Sequence, residues 1–355
     1  MIKIDNSKKL NNFKKLNLPA LKKIINIYEI KPNDNILIWT DNSNTIAPRL
    51  AKTFFEELKK LGCNISIIVE KEVKPMSIAS KTTHKGIFSL SKNDVLISIS
   101  SRNRGYLERN NERVILKDLM KKNGFKVISC GGLASLKSNK VNSFLEAFNH
   151  DEKGMKILNN KIASAMKKTA IAKIVCSAGT DLELNIKNCP VLINDGNHKN
   201  YSTNYPVGET YTVPIENLAN GIAMISSFKI SGETVVPKKP IKMIFKDGIM
   251  IKSNSKKVEN NLKESIKFNK KKKVKNADNL VRTIAEFAIG TNKKAQIVRA
   301  MICDEKAYGT CHIALGANKH MGGNTQCYGH FDNVIKSPTI WFDKKLIMKN
   351  GKLVI

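Results

Sequence analysis

Five residues in the second half of the chain are of the types that hold metal ions. His330 and Asp332 form a His-x-Asp pair, and His312 lies upstream in Gly-Thr-Cys-His-Ile-Ala-Leu-Gly (309–316). Glu209 stands in Gly-Glu-Thr-Tyr-Thr-Val-Pro, and Glu286 in Ala-Glu-Phe-Ala-Ile-Gly-Thr-Asn. Two imidazoles and three carboxylates among small or apolar neighbours suit borderline and hard divalent ions, and no ligating cysteine is needed. Charge supports a pair of ions. Three carboxylates and one hydroxide balance two divalent cations, as a dinuclear hydrolytic site needs.

Each residue also has an ordinary reading. Glu209 follows a Pro-x-Gly turn and opens the alternating stretch Thr210 to Val213, where it points into a cleft or serves as an edge carboxylate. Glu286 falls in an apolar run, Ala277 to Phe287, that reads as a helix ended by Gly290-Thr291-Asn292. A carboxylate there must face water, a cation or a metal. A lone histidine in the strand-like run Cys311 to Leu315 is more often a hydrogen-bonded core residue than a ligand. His330 and Asp332, two apart, project to one side of an extended strand. Gly322-Gly323-Asn324 lets the chain turn back and set that strand beside the one carrying His312.

These residues need elements to carry them. In the first half, apolar runs at Asn35 to Thr40, Asn64 to Val69, Asp94 to Ser100 and Lys126 to Ser129 alternate with helical patterns. One such pattern is Thr45 to Leu61, with Leu50, Phe54, Leu58 and Leu61 near one face. Strand–helix repetition predicts a mostly parallel sheet covered by helices. Neither GxGxxG after the first strand nor GxxxxGK[ST] occurs, so nucleotide binding has no support. A long helix over Asn149 to Lys168 precedes a change of texture. Ala172 to Cys176 and Leu182 to Ile186 alternate as strands, Ile193 to Pro206 is rich in turns, and Val235 to Lys246 with Gly248 to Lys252 reads as a hairpin. The expected class is α/β, with an N-terminal mostly parallel α/β domain over residues 1–165 and an α+β metal-binding catalytic domain over 166–355.

Composition narrows the class further. The formal charge is +31, but only seven of the 61 basic residues are arginine. Nucleic-acid readers rely on arginine forks as well as lysine charge. Lysine scattered through nearly every segment instead describes a solvated surface. A charge-driven nucleic-acid-binding protein is the reading from another class; the expectation is no specific nucleic acid. The cluster Lys270 to Lys273 reads as an exposed loop or helix end. Seven cysteines without CxxC spacing point to free thiols in a reducing cytoplasm. Cys63, Cys130 and Cys176 are expected to be buried, and Cys311 and Cys327 to fall in the site region. No apolar run of about 18 residues supports a membrane span, and the lysine-rich N-terminus does not indicate export.

Taken in order, several segments resemble the aminopeptidase T group, the thermophilic metalloaminopeptidases of peptidase family M29. They are Gly179-Thr180-Asp181-Leu182, Asn204-Tyr205-Pro206-Val207-Gly208-Glu209, Glu286 with Gly290-Thr291-Asn292, Gly309 to Gly316, and His330-x-Asp332. The resemblance implies that Glu209, Glu286, His312, His330 and Asp332 hold two divalent metals, zinc or cobalt first and manganese or iron after them. It also implies peptide substrates with a free N-terminus and a homodimer. Glu286 and Glu209 are then the expected catalytic carboxylates. Asp195 is a candidate partner for the substrate amine, and Tyr211 or Tyr328 a donor to the oxyanion. The family pattern has a tyrosine ligand shortly after the first histidine; this chain has Ala317-Asn318-Lys319-His320, with His320 either a substitute ligand or an exposed loop histidine. The wider superfamily holds a mononuclear iron ring-cleaving dioxygenase of the dihydroxypyridine type, which keeps the His-x-Asp end of the pattern. That enzyme and a non-catalytic family member are the alternatives.

Overall fold

A computed structural model describes residues 4–200 and 204–355. Apolar runs near the N-terminus form a four-stranded parallel sheet in the order Asn64–Glu70, Asn35–Asp41, Val95–Ile99, Lys126–Cys130. Ile36, Leu37, Ile38 and Trp39 are buried on both faces of it, which explains the absence of alternation in the sequence. Helix Ala47–Leu61 lays Leu50, Phe54 and Leu58 on the sheet and ends at Gly62, whose φ of 87° suits a left-handed cap. Helix Glu152–Met166 starts where the Asp151 carboxylate accepts a hydrogen bond from the Gly154 amide.

The second half is built from two antiparallel sheets. A seven-stranded sheet runs Glu233–Val235, Ser227–Ile230, His330–Lys336, Thr310–Gly316, Ile284–Gly290, Glu209–Thr212, Val191–Asn194. An eight-stranded sheet is centred on Ala219–Ile225, Asp181–Asn185 and Ile171–Val175, and includes the hairpin of Ile241–Lys246 with Ile249–Ser253. Phe287, Ile289, Ile313 and Leu315 from the first meet Ile174, Leu182, Leu184 and Ile225 from the second in one buried core. The mixed α/β class, parallel first and antiparallel later, is therefore as expected.

One element differs from the sequence expectation. Only Ala277–Leu280 is helical in the run read as a helix to Phe287; Ile284–Gly290 is a strand with every residue buried. A strand covered on both faces has no period of two, so its pattern cannot be told from that of a buried helix. Cys130, Cys311 and Cys327 are buried, whereas Cys63 and Cys176 are half-buried; all seven thiols are free.

The two halves interlock. Tyr205, Val207, Ala295, Val298, Ala300 and Cys303 complete the core under the parallel sheet. The Asn292 amide donates to the carbonyls of Ala147 (2.8 Å) and Val207 (2.7 Å), fastening the strand that bears Glu286 to both segments. No helix among the described residues is long and apolar enough to cross a membrane.

Candidate metal centre

Register decides what each face of the seven-stranded sheet carries. Glu209 opposes Gly290, Tyr211 opposes Ala288, Ala288 opposes His312, Glu286 opposes Ala314, and Ala314 opposes Asp332. Directly opposed residues share a face. One face therefore carries Glu209, Tyr211, Glu286, His312, His330 and Asp332, separated only by alanine and glycine. All five sequence candidates come together on it, and the small residues between them leave room for an ion.

Glu209, Glu286 and His312 form one trio of candidate ligand atoms, and Glu286, His330 and Asp332 a second, with the atoms of each trio within 4.8 Å of one another. Glu286 belongs to both. His312 Nε2 lies 3.5 Å from Glu209 Oε2 and 3.4 Å from Glu286 Oε1. Those separations are long for hydrogen bonds but match ligands sharing one ion: tetrahedral bonds of about 2.1 Å place their ends about 3.4 Å apart. Glu209 Oε2 and His312 Nδ1 are buried and find no hydrogen-bond partner among the described residues.

His330 is prepared by its neighbour. Its Nδ1 lies 2.7 Å from the Ala317 carbonyl, an acceptor, so Nδ1 carries the proton. Its Nε2 then faces Glu286 Oε2 and Asp332 Oδ1, both at 3.0 Å. One nitrogen between two carboxylates needs a positive charge there, from a second proton or a metal ion. The donor set and the orphaned atoms fit divalent cations.

The electrostatics show how strongly the acids demand cations. Burial opposes the ionisation of Glu286, yet the neighbouring His312 and His330 imidazoles hold it down at about 2. Burial opposes charge on His312 too, but Glu286 and Glu209 raise it to about 9. Asp332 and Glu286 raise His330 to about 10 against the same burial.

Three charged residues of the site were missed from sequence. Lys306, fully buried, pairs with Glu209 Oε1 and with Glu305 Oε1 at 2.6 Å. Glu305 also forms a third trio with His312 and Asp332. Burial, and repulsion from Asp332 and Glu209, raise its carboxyl to about 7 despite Lys306. Lys229 takes the other oxygen of Asp332 at 3.0 Å. A signal existed: Asp304-Glu305-Lys306 interrupts an apolar stretch from Ala300 to Ala307, the same kind of anomaly that singled out Glu286. Asp304 beside them accepts from Ser227 Oγ at 2.7 Å and from the Val298 amide at 2.8 Å.

The lesser candidates separate clearly. Tyr211 lines the cavity with the ligand set, and burial with the nearby Glu209 and Glu286 pushes its phenol well up. The Tyr328 hydroxyl donates to Glu108 at 2.8 Å instead. Asp195 accepts from the Asn197 amide at 3.0 Å and shapes a turn. His320 packs edge-on against His330, with ring centroids 5.5 Å apart, and stands outside the trios.

The set lines a cavity of about 490 Å³ together with residues of the N-terminal half, including Ser98, Ser100, Arg104, Arg113 and Lys117. A family model described as thermophilic metalloprotease (M29) matches residues 137–326, a span that includes Glu209, Glu286 and His312 and stops short of His330. No curated protein matches the chain. Among solved structures, 2,5-dihydroxypyridine dioxygenase from Pseudomonas putida KT2440 is similar at a TM-score of 0.66 and 12% identity, over 99% of this chain and 98% of that one. Wild-type AmpT from Thermus thermophilus is similar at 0.61 and 14%, over 95% of this chain and 99% of that one. At such identities both likenesses are of fold.

Proposed function

The chain belongs to the M29 family of thermophilic metalloproteases, and on that premise we propose that it is a metal-dependent aminopeptidase that removes N-terminal residues from peptides. The observation that carries the reading is the pair of ligand trios sharing Glu286 on one small-residue face. Glu209, Glu286, His312, His330 and Asp332 would hold two divalent cations, zinc or cobalt by preference and manganese or iron compatibly with the same donors. The chemistry such cations supply is acidification of a water and polarisation of a carbonyl.

The residues divide the remaining work. Both oxygens of Glu286 face imidazoles, and Glu209 Oε1 is held by Lys306, so these two expected catalytic carboxylates serve first as ligands. Glu305 joins them as proton carrier: with a carboxyl near 7 it can accept a proton from the attacking water and return it to the leaving amine. Lys306 orients Glu305 and Glu209 together. Tyr211 stays protonated on the same face and donates to the developing oxyanion. The substrate amine needs a negative or metal partner, which the ligand set on the floor would supply.

The test is metal quantification on protein purified anaerobically, joined to assays on unblocked and N-acetylated peptides. Two zinc-like ions per chain, with amino acids released only from unblocked peptides, is the expected result. Equal cleavage of both peptide types rules out an aminopeptidase. One iron per chain with oxygen uptake on an aromatic diol would transfer the site to the ring-cleaving reading, whose fold this chain shares.

A further inference from the structure

The cations around the cavity fall into two groups. Those on the floor are neutralised: Lys306 by Glu209 and Glu305, Lys229 by Asp332. Arg102 at the rim is held by Glu72 at 2.9 Å and Glu233 at 2.5 Å. Among the cavity residues of the N-terminal half, no described carboxylate lies within ion-pair distance of Arg104, Arg113 or Lys117. The Arg113 guanidinium is occupied otherwise, donating to the Cys327 carbonyl and stacking over Tyr106 and Tyr328.

Of the three, Arg104 is the one with a buried polar atom that finds no partner among the described residues. One Nη1 contact reaches Ser98 Oγ at 3.3 Å, and its buried Nε makes no hydrogen bond. Burial alone draws its guanidinium down to about 10. A desolvated guanidinium without an anion is costly to keep. Its place in the fold explains what it awaits. Arg104 follows the strand Val95–Ile99, and with Ser98, Ser100, Ser129 and Gly132 it lines the cavity where the parallel strands end. The carboxyl ends of such strands are where open α/β sheets bind ligands. A Cβ at Gly132 would meet nothing within 4 Å, so that corner is open.

We propose that Arg104 anchors the C-terminal carboxylate of the substrate, so that this cavity selects short peptides with both ends free. The proposal rests on the aminopeptidase reading. The metal-ligand set would take the amine and the basic wall the carboxylate, and the cavity of about 490 Å³ that both line fits a di- or tripeptide rather than a folded chain. Arginine suits the role because its planar fork meets a carboxylate with two parallel hydrogen bonds.

The test compares Leu-Gly-Gly, Leu-Gly-Gly-amide and Leu-Glu-amide on the full metal-loaded protein. Leu-Gly-Gly should be favoured over its amide about tenfold to a hundredfold in kcat/KM, mostly through KM. Arg104→Met should draw that ratio toward one and Arg104→Lys should keep part of it, which separates lost charge from misfolding. Equal rates on acid and amide overturn the proposal. So does a preference for Leu-Glu-amide over Leu-Gly-Gly, which would make the anion a side chain. A second measurement does not need catalysis: N-acetyl-Leu-Gly-Gly should raise the melting temperature of the metal-free protein more than its amide does, and less so in Arg104→Met. If that difference appears while no peptide is cleaved, the anchor stands and the aminopeptidase reading falls.

Discussion

Three neighbouring strands carry opposite chemistries on their two sides. Along Ile284–Gly290, Thr310–Gly316 and His330–Lys336, one side presents Phe287, Ile289, Ile313, Leu315 and Ile335 to the second sheet. The other side presents Glu286, Ala288, His312, Ala314, His330 and Asp332 to the cavity. Backbone and register are shared, so the difference is one of alternation alone. Large apolar groups on the first side stabilise the sandwich, and charged groups on the second are spaced by alanine and glycine, which leave room for ions. Stability and chemistry are thus separable by a single step along the chain.

The sharpest way to break this contrast is to alter adjacent residues that point to opposite sides. Glu286→Ala removes the group common to both trios. Metal content by elemental analysis should fall from two ions to below one, and kcat/KM by about 10⁴-fold. Phe287→Ala should do the reverse, costing about 3–5 kcal/mol in urea unfolding while its folded fraction binds metal with unchanged stoichiometry. Were Phe287→Ala to empty the folded protein of metal as completely as Glu286→Ala, the two faces would not be independent.

A finer division lies within the polar side, between holding cations and moving protons. Glu305→Gln should lower kcat about a hundredfold, with metal content retained. A loss of one ion on that substitution would make Glu305 a ligand instead, in keeping with its trio with His312 and Asp332.

What was legible from sequence follows the same geometry. The His-x-Asp spacing, the strand around His312 and the turn before Glu209 are local facts, and period-two reasoning placed all of them. Glu286 stands out by its apolar surroundings, but its element reads as a helix because Ile284–Gly290 is buried on both sides. Lys306 and Arg104 were not found. Lys306 reaches Glu209 across 97 residues of chain, and Arg104 meets the cavity only because the two halves pack together. No local pattern encodes such encounters. The parallel sheet was readable for the opposite reason: its strands are continuous apolar runs, each followed by its own helix.

Buried imidazoles extend the comparison to a second pair of regions. His312 and His330 are buried among carboxylates, and the acids raise them. His150 is also buried, and no described residue meets hydrogen-bond geometry at either ring nitrogen. There burial, aided by Lys23, draws the imidazole down to about 4 from 6.5. The signs for stability are opposite. In metal-free protein the raised histidines stabilise fully below about 6.5, and that contribution is lost as pH rises through 9 to 10. For His150 the unfolded chain takes up the proton first, so stability declines as pH falls from 6.5 toward 4, by about 1.4 kcal/mol per unit. At pH 5 this is a loss of about 2 kcal/mol relative to neutral pH. His150→Asn should therefore flatten the acid side of the urea-midpoint profile without changing metal content, the smallest of the expected effects. An unchanged acid slope in His150→Asn would mean that its ring finds a partner in solution, and that carboxylates are not what separates the two groups of histidines.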